Sequence, residues 1–233
     1  MVLLVAFLGA DPAWAQGETP SEIDAVLTWD EAVAEAREAS DLTPRIDRGQ
    51  EIYQVCSSCH LSNGAGQADG TMPQLAGQQR TVLVKQMTDI RSGLRHNPSM
   101  YPYVARLDGP QALSDVAGYI ETLPAPDDNG VGPGTDLERG EQIYLTQCAR
   151  CHGLAGEGME DAFYPRIAAQ HYRYLVRQLI DIAGGRRGNA HPDMTLVVES
   201  LSAKEIASVA DYVSRIGSRA KSEKEQIESE SRR

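Results

Sequence analysis

The chain has 233 residues, 41% of them hydrophobic and 6% aromatic, which is enough for one or two small soluble domains. With 22 basic against 33 acidic residues the formal charge is −11, which argues against nucleic-acid binding and suggests steering toward a partner with a basic docking face. No apolar run approaches the roughly 20 residues that cross a bilayer, so no membrane span is expected.

In chain order, residues 2–8 are apolar and Ala13-Trp14-Ala15 fits the small-x-small pattern of signal peptidase. Residues 1–15 are therefore read as a signal peptide, although no Lys or Arg precedes the apolar run. Residues 16–44 form an N-terminal extension, in which Thr28 and Glu31 make a capping box for an alanine- and glutamate-rich helix to about Ser40. This helix is read as a surface helix in preference to a docking element.

A first domain is expected over 45–123. It opens with Arg48-Gly49-Gln50-Glu51-Ile52-Tyr53 and then carries Cys56-Ser57-Ser58-Cys59-His60. Two thiols one helical turn apart, followed at once by histidine, are the attachment signature of c-type haem. The thiols bond the porphyrin vinyl groups and the imidazole reaches the iron. Leu83, Met87, Ile90 and Leu94 then fall on one helical stripe expected to face the haem, and Val116, Tyr119, Ile120 and Leu123 make a second.

Residues 124–135, dense in Pro, Gly, Asp and Asn, read as a linker. A second domain over 136–217 repeats the order: Arg139-Gly140, then Cys148-Ala149-Arg150-Cys151-His152, then a stripe of Leu175, Leu179 and Ile182. Its last helix starts at a Ser202/Glu205 capping box and carries Ile206, Val209, Val213 and Ile216. Residues 218–233 are a charged tail with no function inferred. No segment alternates as a strand would, so the fold class is all-α.

The two domains are copies. At an offset of 92, ten of the 23 positions in 73–95 equal their mates in 165–187, including Gln78/Gln170, Gln86/Gln178, Gly93/Gly185 and Arg95/Arg187. One residue is inserted before the second motif. All four cysteines lie in the two motifs; gathering them around one zinc would leave His60 and His152 without a reason for their position. Two covalently bound haem c groups are the expected cofactors.

The distal ligand separates carriers from catalysts, because an occupied sixth position leaves no room for substrate. A ligand should recur at matching places in both copies. Met100 lies 40 residues beyond His60 and Met194 lies 42 beyond His152, whereas Met72, Met87 and Met159 have no methionine mates. His96 and His191 stand close by and keep bis-histidine ligation as the alternative.

On the two CxxCH motifs, the PQLAGQ and PRIAAQ segments, the paired methionines and the tandem order, residues 45–217 resemble a dihaem class I cytochrome c of the cytochrome c4 type. The resemblance implies two cytochrome c domains related by an approximate two-fold axis, with haem propionates near their interface. Each haem would be His/Met ligated, through His60 with Met100 and His152 with Met194. The carbonyls of Pro73 and Pro165 would accept the proximal imidazole N–H. It also implies periplasmic electron transfer from a quinol-oxidising complex or dehydrogenase to a terminal oxidase or reductase, as a monomer or weak dimer. A bound subunit of a periplasmic oxidoreductase is the second reading, and a dihaem peroxidase or thiosulfate-oxidising enzyme the third. The segment 18–44, the acidic balance and the tail depart from the family pattern.

Overall fold

The computed structural model describes residues 29–126 and 128–217. The expected signal peptide, Thr28 of the first capping box and the charged tail lie outside the described residues. Within them the chain is helical, with no strand beyond an isolated bridge between Met159 and Tyr164.

The first half contains α1 (Trp29–Asp41), α2 (Ile46–His60), α3 (Arg80–Arg91), α4 (Tyr101–Val104) and α5 (Gly109–Thr122). The second contains α6 (Leu137–Ile143), a π-helical turn (Tyr144–Cys148), α7 (Ala149–His152), α8 (Tyr172–Ala183), α9 (Pro192–Glu199) and α10 (Ala203–Arg215), with a 3-10 turn at Glu160–Ala162. Each half has its own apolar core. Tyr53, Leu83, Val84, Leu113, Val116 and Ile120 build the first; Ile143, Tyr144, Leu175, Val209 and Val213 build the second. The same ring contact closes both: Tyr53 on Tyr119 at 5.4 Å and Tyr144 on Tyr212 at 5.6 Å between centroids.

The paired Arg-Gly dipeptides have a packing reason. A Cβ on Gly49 would overlap the Asp115 carbonyl oxygen, and one on Gly140 the Ser208 carbonyl, so only glycine lets the motif-bearing helix cross its neighbour this closely. Gly93 and Gly185 take positive φ (80° and 68°) just after the long helices. Leu94 consequently falls past the end of α3 and does not extend its stripe.

The N-terminal helix is not a surface helix. It packs on α3 and α5, and Ala32, Ala36 and Ala39, spaced at i, i+4 and i+7, are buried at 2% exposure or less. Their small side chains let α1 lie close over Val84, and Glu35 pairs with Arg91 of α3. Arg80 closes the far end by donating to the carbonyls of Ser40 (2.8 Å) and Leu42 (3.2 Å). The linker is stitched to the second half: Asn129 Nδ2 donates to Ser214 O (2.7 Å) and Gly134 N to Asp211 Oδ2 (2.6 Å).

Candidate haem sites

Cys56 and Cys59 lie in the last turn and a half of α2, with His60 as its final residue. All four cysteines are half-buried and none is in a disulfide. Burial pushes the Cys56 and Cys148 thiols up to about 11. Both thiols belong to the core walls, Cys56 against the cluster of Leu83 and Met87, Cys148 against that of Leu175 and Leu179.

His60 and His152 are buried, at 3% and 7% exposure. Their Nδ1 atoms stand 3.0 Å from Pro73 O and 2.9 Å from Pro165 O. A carbonyl only accepts, so Nδ1 carries the proton and Nε2 the lone pair. Desolvation lowers both imidazole pKa values despite these carbonyls, which keeps the rings neutral at neutral pH. His60 Nε2 is a buried polar atom with no hydrogen-bond partner. A buried imidazole held at Nδ1 with an unused Nε2, one residue after two free thiols, fits a covalently attached haem whose iron takes that lone pair.

The inserted residue before the second motif is absorbed locally. Three residues separate Tyr144 from Cys148, where two separate Tyr53 from Cys56, and the helix widens there into the π-turn. Both tyrosines keep their place: Tyr53 Oη donates to Leu61 O (2.8 Å) and Tyr144 Oη to Gly153 O (2.5 Å).

On the distal side, Met100 is the half-buried N-cap residue of the short α4, and Met194 lies half-buried in the first turn of α9. Both head the helix that follows the long one. His96 and His191 are exposed. His191 caps α9, its Nδ1 accepting from Asp193 N (3.2 Å), and meets Tyr164 edge-on at 5.9 Å.

The two sites are joined through the proximal loops. Gln170 accepts from Gln74 N (3.0 Å) and donates to Gln74 O (2.9 Å); Gln78 accepts from Arg166 N (3.0 Å) and donates to Arg166 O (2.9 Å). Residues 74 and 166 are repeat mates, as are 78 and 170, so the four bonds obey an approximate two-fold axis. A second pair follows the same axis: His171 Nε2 donates to Ala65 O (2.8 Å) and its mate Gln79 Nε2 to Glu157 O (3.0 Å). The linker's Gly130 N donates to His171 Nδ1 (3.0 Å), which sets that tautomer. Sequence reasoning did not assign these contacts. Its available signal was the polar identities in the repeat, which no apolar stripe explains.

Two helical sister domains, each bearing one CxxCH motif and a buried histidine, define a c-type cytochrome with two covalently bound haem c groups. Residues 46–124 match the cytochrome c family, and residues 135–213 match the family described as cytochrome c oxidase, cbb3-type, subunit III. The chain is 34% identical over 181 residues to cytochrome c4 of Azotobacter vinelandii, covering 71% of this chain and 86% of that one. It is 34% identical over 188 residues to the thiosulfate dehydrogenase electron acceptor of Stutzerimonas stutzeri, covering 72% and 86%. Among solved structures, reduced cytochrome c4 from Pseudomonas stutzeri superposes with a TM-score of 0.67 at 28% identity, over 75% of this chain and all of that one. The chain belongs to the cytochrome c4 family of dihaem electron carriers.

Proposed function

We propose that His60 with Met100 and His152 with Met194 are the axial ligands of two six-coordinate haems. We further propose that the chain is exported to a bacterial periplasm, carrying electrons from a quinol-oxidising complex or dehydrogenase to a terminal oxidase or reductase. The observation that carries the reading is the matched pair of neutral, buried imidazoles, each steered by a proline carbonyl, with a half-buried methionine at the head of the next helix in both copies. His191 spends its Nδ1 on capping α9, which favours Met194 over it.

When bound, each haem supplies a one-electron ferric/ferrous couple. The chain sets how that couple behaves. A thioether ligand and an apolar wall such as Leu83 with Met87, or Leu175 with Leu179, favour the ferrous state and a fairly high potential. The proline carbonyls hold the imidazole planes fixed, so little reorganisation accompanies the change of charge. Partner contacts for such carriers are small and brief, and the net charge of −11 suits a basic docking face.

A particular donor is favoured by one finding. A relative is described as a thiosulfate dehydrogenase electron acceptor, and the thiosulfate dehydrogenase structure from Marichromatium purpuratum superposes with a TM-score of 0.65 at 27% identity, over 75% of this chain and 41% of that one. A sulfur-oxidising dehydrogenase is therefore the second reading of the donor.

The far-red absorption band of a sulfur–ferric iron bond tests the ligand set. Met100→Ala and Met194→Ala should each remove about half of it, and the double variant all of it. Retention of the full band in both single variants would defeat the assignment.

A further inference from the structure

The proximal loops enclose a small cavity on the axis that relates the two halves. It is lined by Gln74, Ala76 and Gln78 from one side and by their repeat mates Arg166, Ala168 and Gln170 from the other. Its room for the centre of a water-sized sphere is about 10 Å³, roughly the volume of one such sphere. Ala76, Ala168, Gln74 and Gln170 are all buried, which sets the cavity inside the junction.

Two of the groups around this cavity are left over. The four bonds that cross the axis use the side chains of Gln78 and Gln170 but only the backbone of Gln74 and Arg166. The Gln74 side chain donates Nε2 to Ala76 O (3.1 Å). A carbonyl only accepts, so this bond fixes which end of the amide is nitrogen. Gln74 Oε1 is then a buried acceptor with no hydrogen-bond partner, and Arg166 Nε is a buried donor with none. The axis brings these mates to one place, and the change from glutamine to arginine between the copies sets a donor against an acceptor there. Two identical residues would have set like groups together.

An orphaned donor and an orphaned acceptor beside one cavity restrict what can fill it, because each carries the cost of an unmade bond. An anion would suit the guanidinium and be repelled by the amide oxygen. A metal cation would do the reverse. An apolar group would leave both orphans unmet. Water accepts from the one and donates to the other, and a space of this size with two polar partners meets its requirements.

We propose that this cavity binds one ordered water molecule, which accepts from Arg166 Nε and donates to Gln74 Oε1 across the axis. Gln74 and Arg166 directly follow Pro73 and Pro165, whose carbonyls hold the imidazoles of His60 and His152. The water therefore ties together the two loop segments that orient the histidines. It adds a charge-assisted link beside the four direct bonds and is enthalpically nearly as good as one of them.

A high-resolution crystal structure of the holoprotein and water-oxygen magnetic relaxation dispersion of its ferrous form test this together. Wild type should show a water within hydrogen-bond distance of both atoms, and a slowly exchanging water component in solution. Gln74→Leu and Arg166→Met keep the backbone groups that the direct bonds use, and each should lose one water's share of that component. Gln79→Leu is the control, because Gln79 bonds across the junction to Glu157 O (3.0 Å) without lining the cavity, and it should keep the full component. Absence of the water from the wild-type crystal structure would overturn the proposal, as would an ion in its place identified by anomalous scattering. An unchanged slow component in both cavity variants would also overturn it. So would an equal loss in the control, which would trace the slow water to the tightness of the junction as a whole. None of these readouts depends on the axial ligands or on the redox partners.

Discussion

Replacing Gln170 with leucine isolates the worth of the proximal-loop clamp. Gln170 is 9% exposed and Gln74 6%, and the Gln170 amide satisfies both the N–H and the C=O of Gln74. Leucine is close in volume, so packing is largely kept while three buried backbone groups, the N–H and C=O of Gln74 across the junction and the N–H of His171 beside it, lose their partners. An orphaned buried group costs about 1–3 kcal/mol, and leucine's own burial offsets part of the total. The expected net loss is about 2–4 kcal/mol in domain–domain association, or roughly 30- to 700-fold in its equilibrium constant. Guanidinium titration followed by tyrosine fluorescence and small-angle scattering should show the halves separating before either core melts. Gln78→Leu, acting on Arg166 across the same axis, should behave alike. Coincident scattering and fluorescence transitions at the wild-type midpoint in both variants would refute the reasoning, because the clamp would then hold nothing.

Other predictions concern single elements. Asp115 is fully buried; burial would raise its pKa, but hydrogen bonds from Arg45 and Gln111 outweigh this and hold it below the usual carboxylate range. Its contribution is present above the unfolded-state pKa and lost as pH falls through the lower folded value, so Asp115→Asn should flatten the acid limb of a stability–pH profile while lowering stability at neutral pH. Ala36→Glu would drive a carboxylate between α1 and the first core, and should cost that half about 3 kcal/mol or more while leaving the second haem's spectrum unchanged. Deleting Thr146 should convert the π-turn into plain α-helix with both haems still attached by mass spectrometry, since the first copy carries the shorter segment between tyrosine and cysteine. Loss of the second haem from that variant would mean that the wide turn is needed for attachment.

The legible features were those written in local order. Cys56 to His60 and Cys148 to His152 are contiguous, so their chemistry follows from spacing on one helical turn. The apolar stripes around Leu83 and Leu175 follow from helical period, and the Ser202/Glu205 capping box, which the structure forms, spans a single turn. The sequence points to a surface helix at the N-terminus because the apolar face of α1 is made of alanines, whose weak hydrophobicity gives little sign of the burial that the close approach of α1 to α3 produces.

The sequence alone determined the cofactor type, its number and the duplication, because covalent attachment and repetition are properties of residues near one another in the chain or at one constant offset. It also showed that Gln78, Gln86 and Arg95 have identical mates at Gln170, Gln178 and Arg187. Only the tertiary structure decided what these residues do. Their partners across the junction lie 79 to 101 positions away, and no local period reports a hydrogen bond whose two ends are brought together by the docking of separate domains.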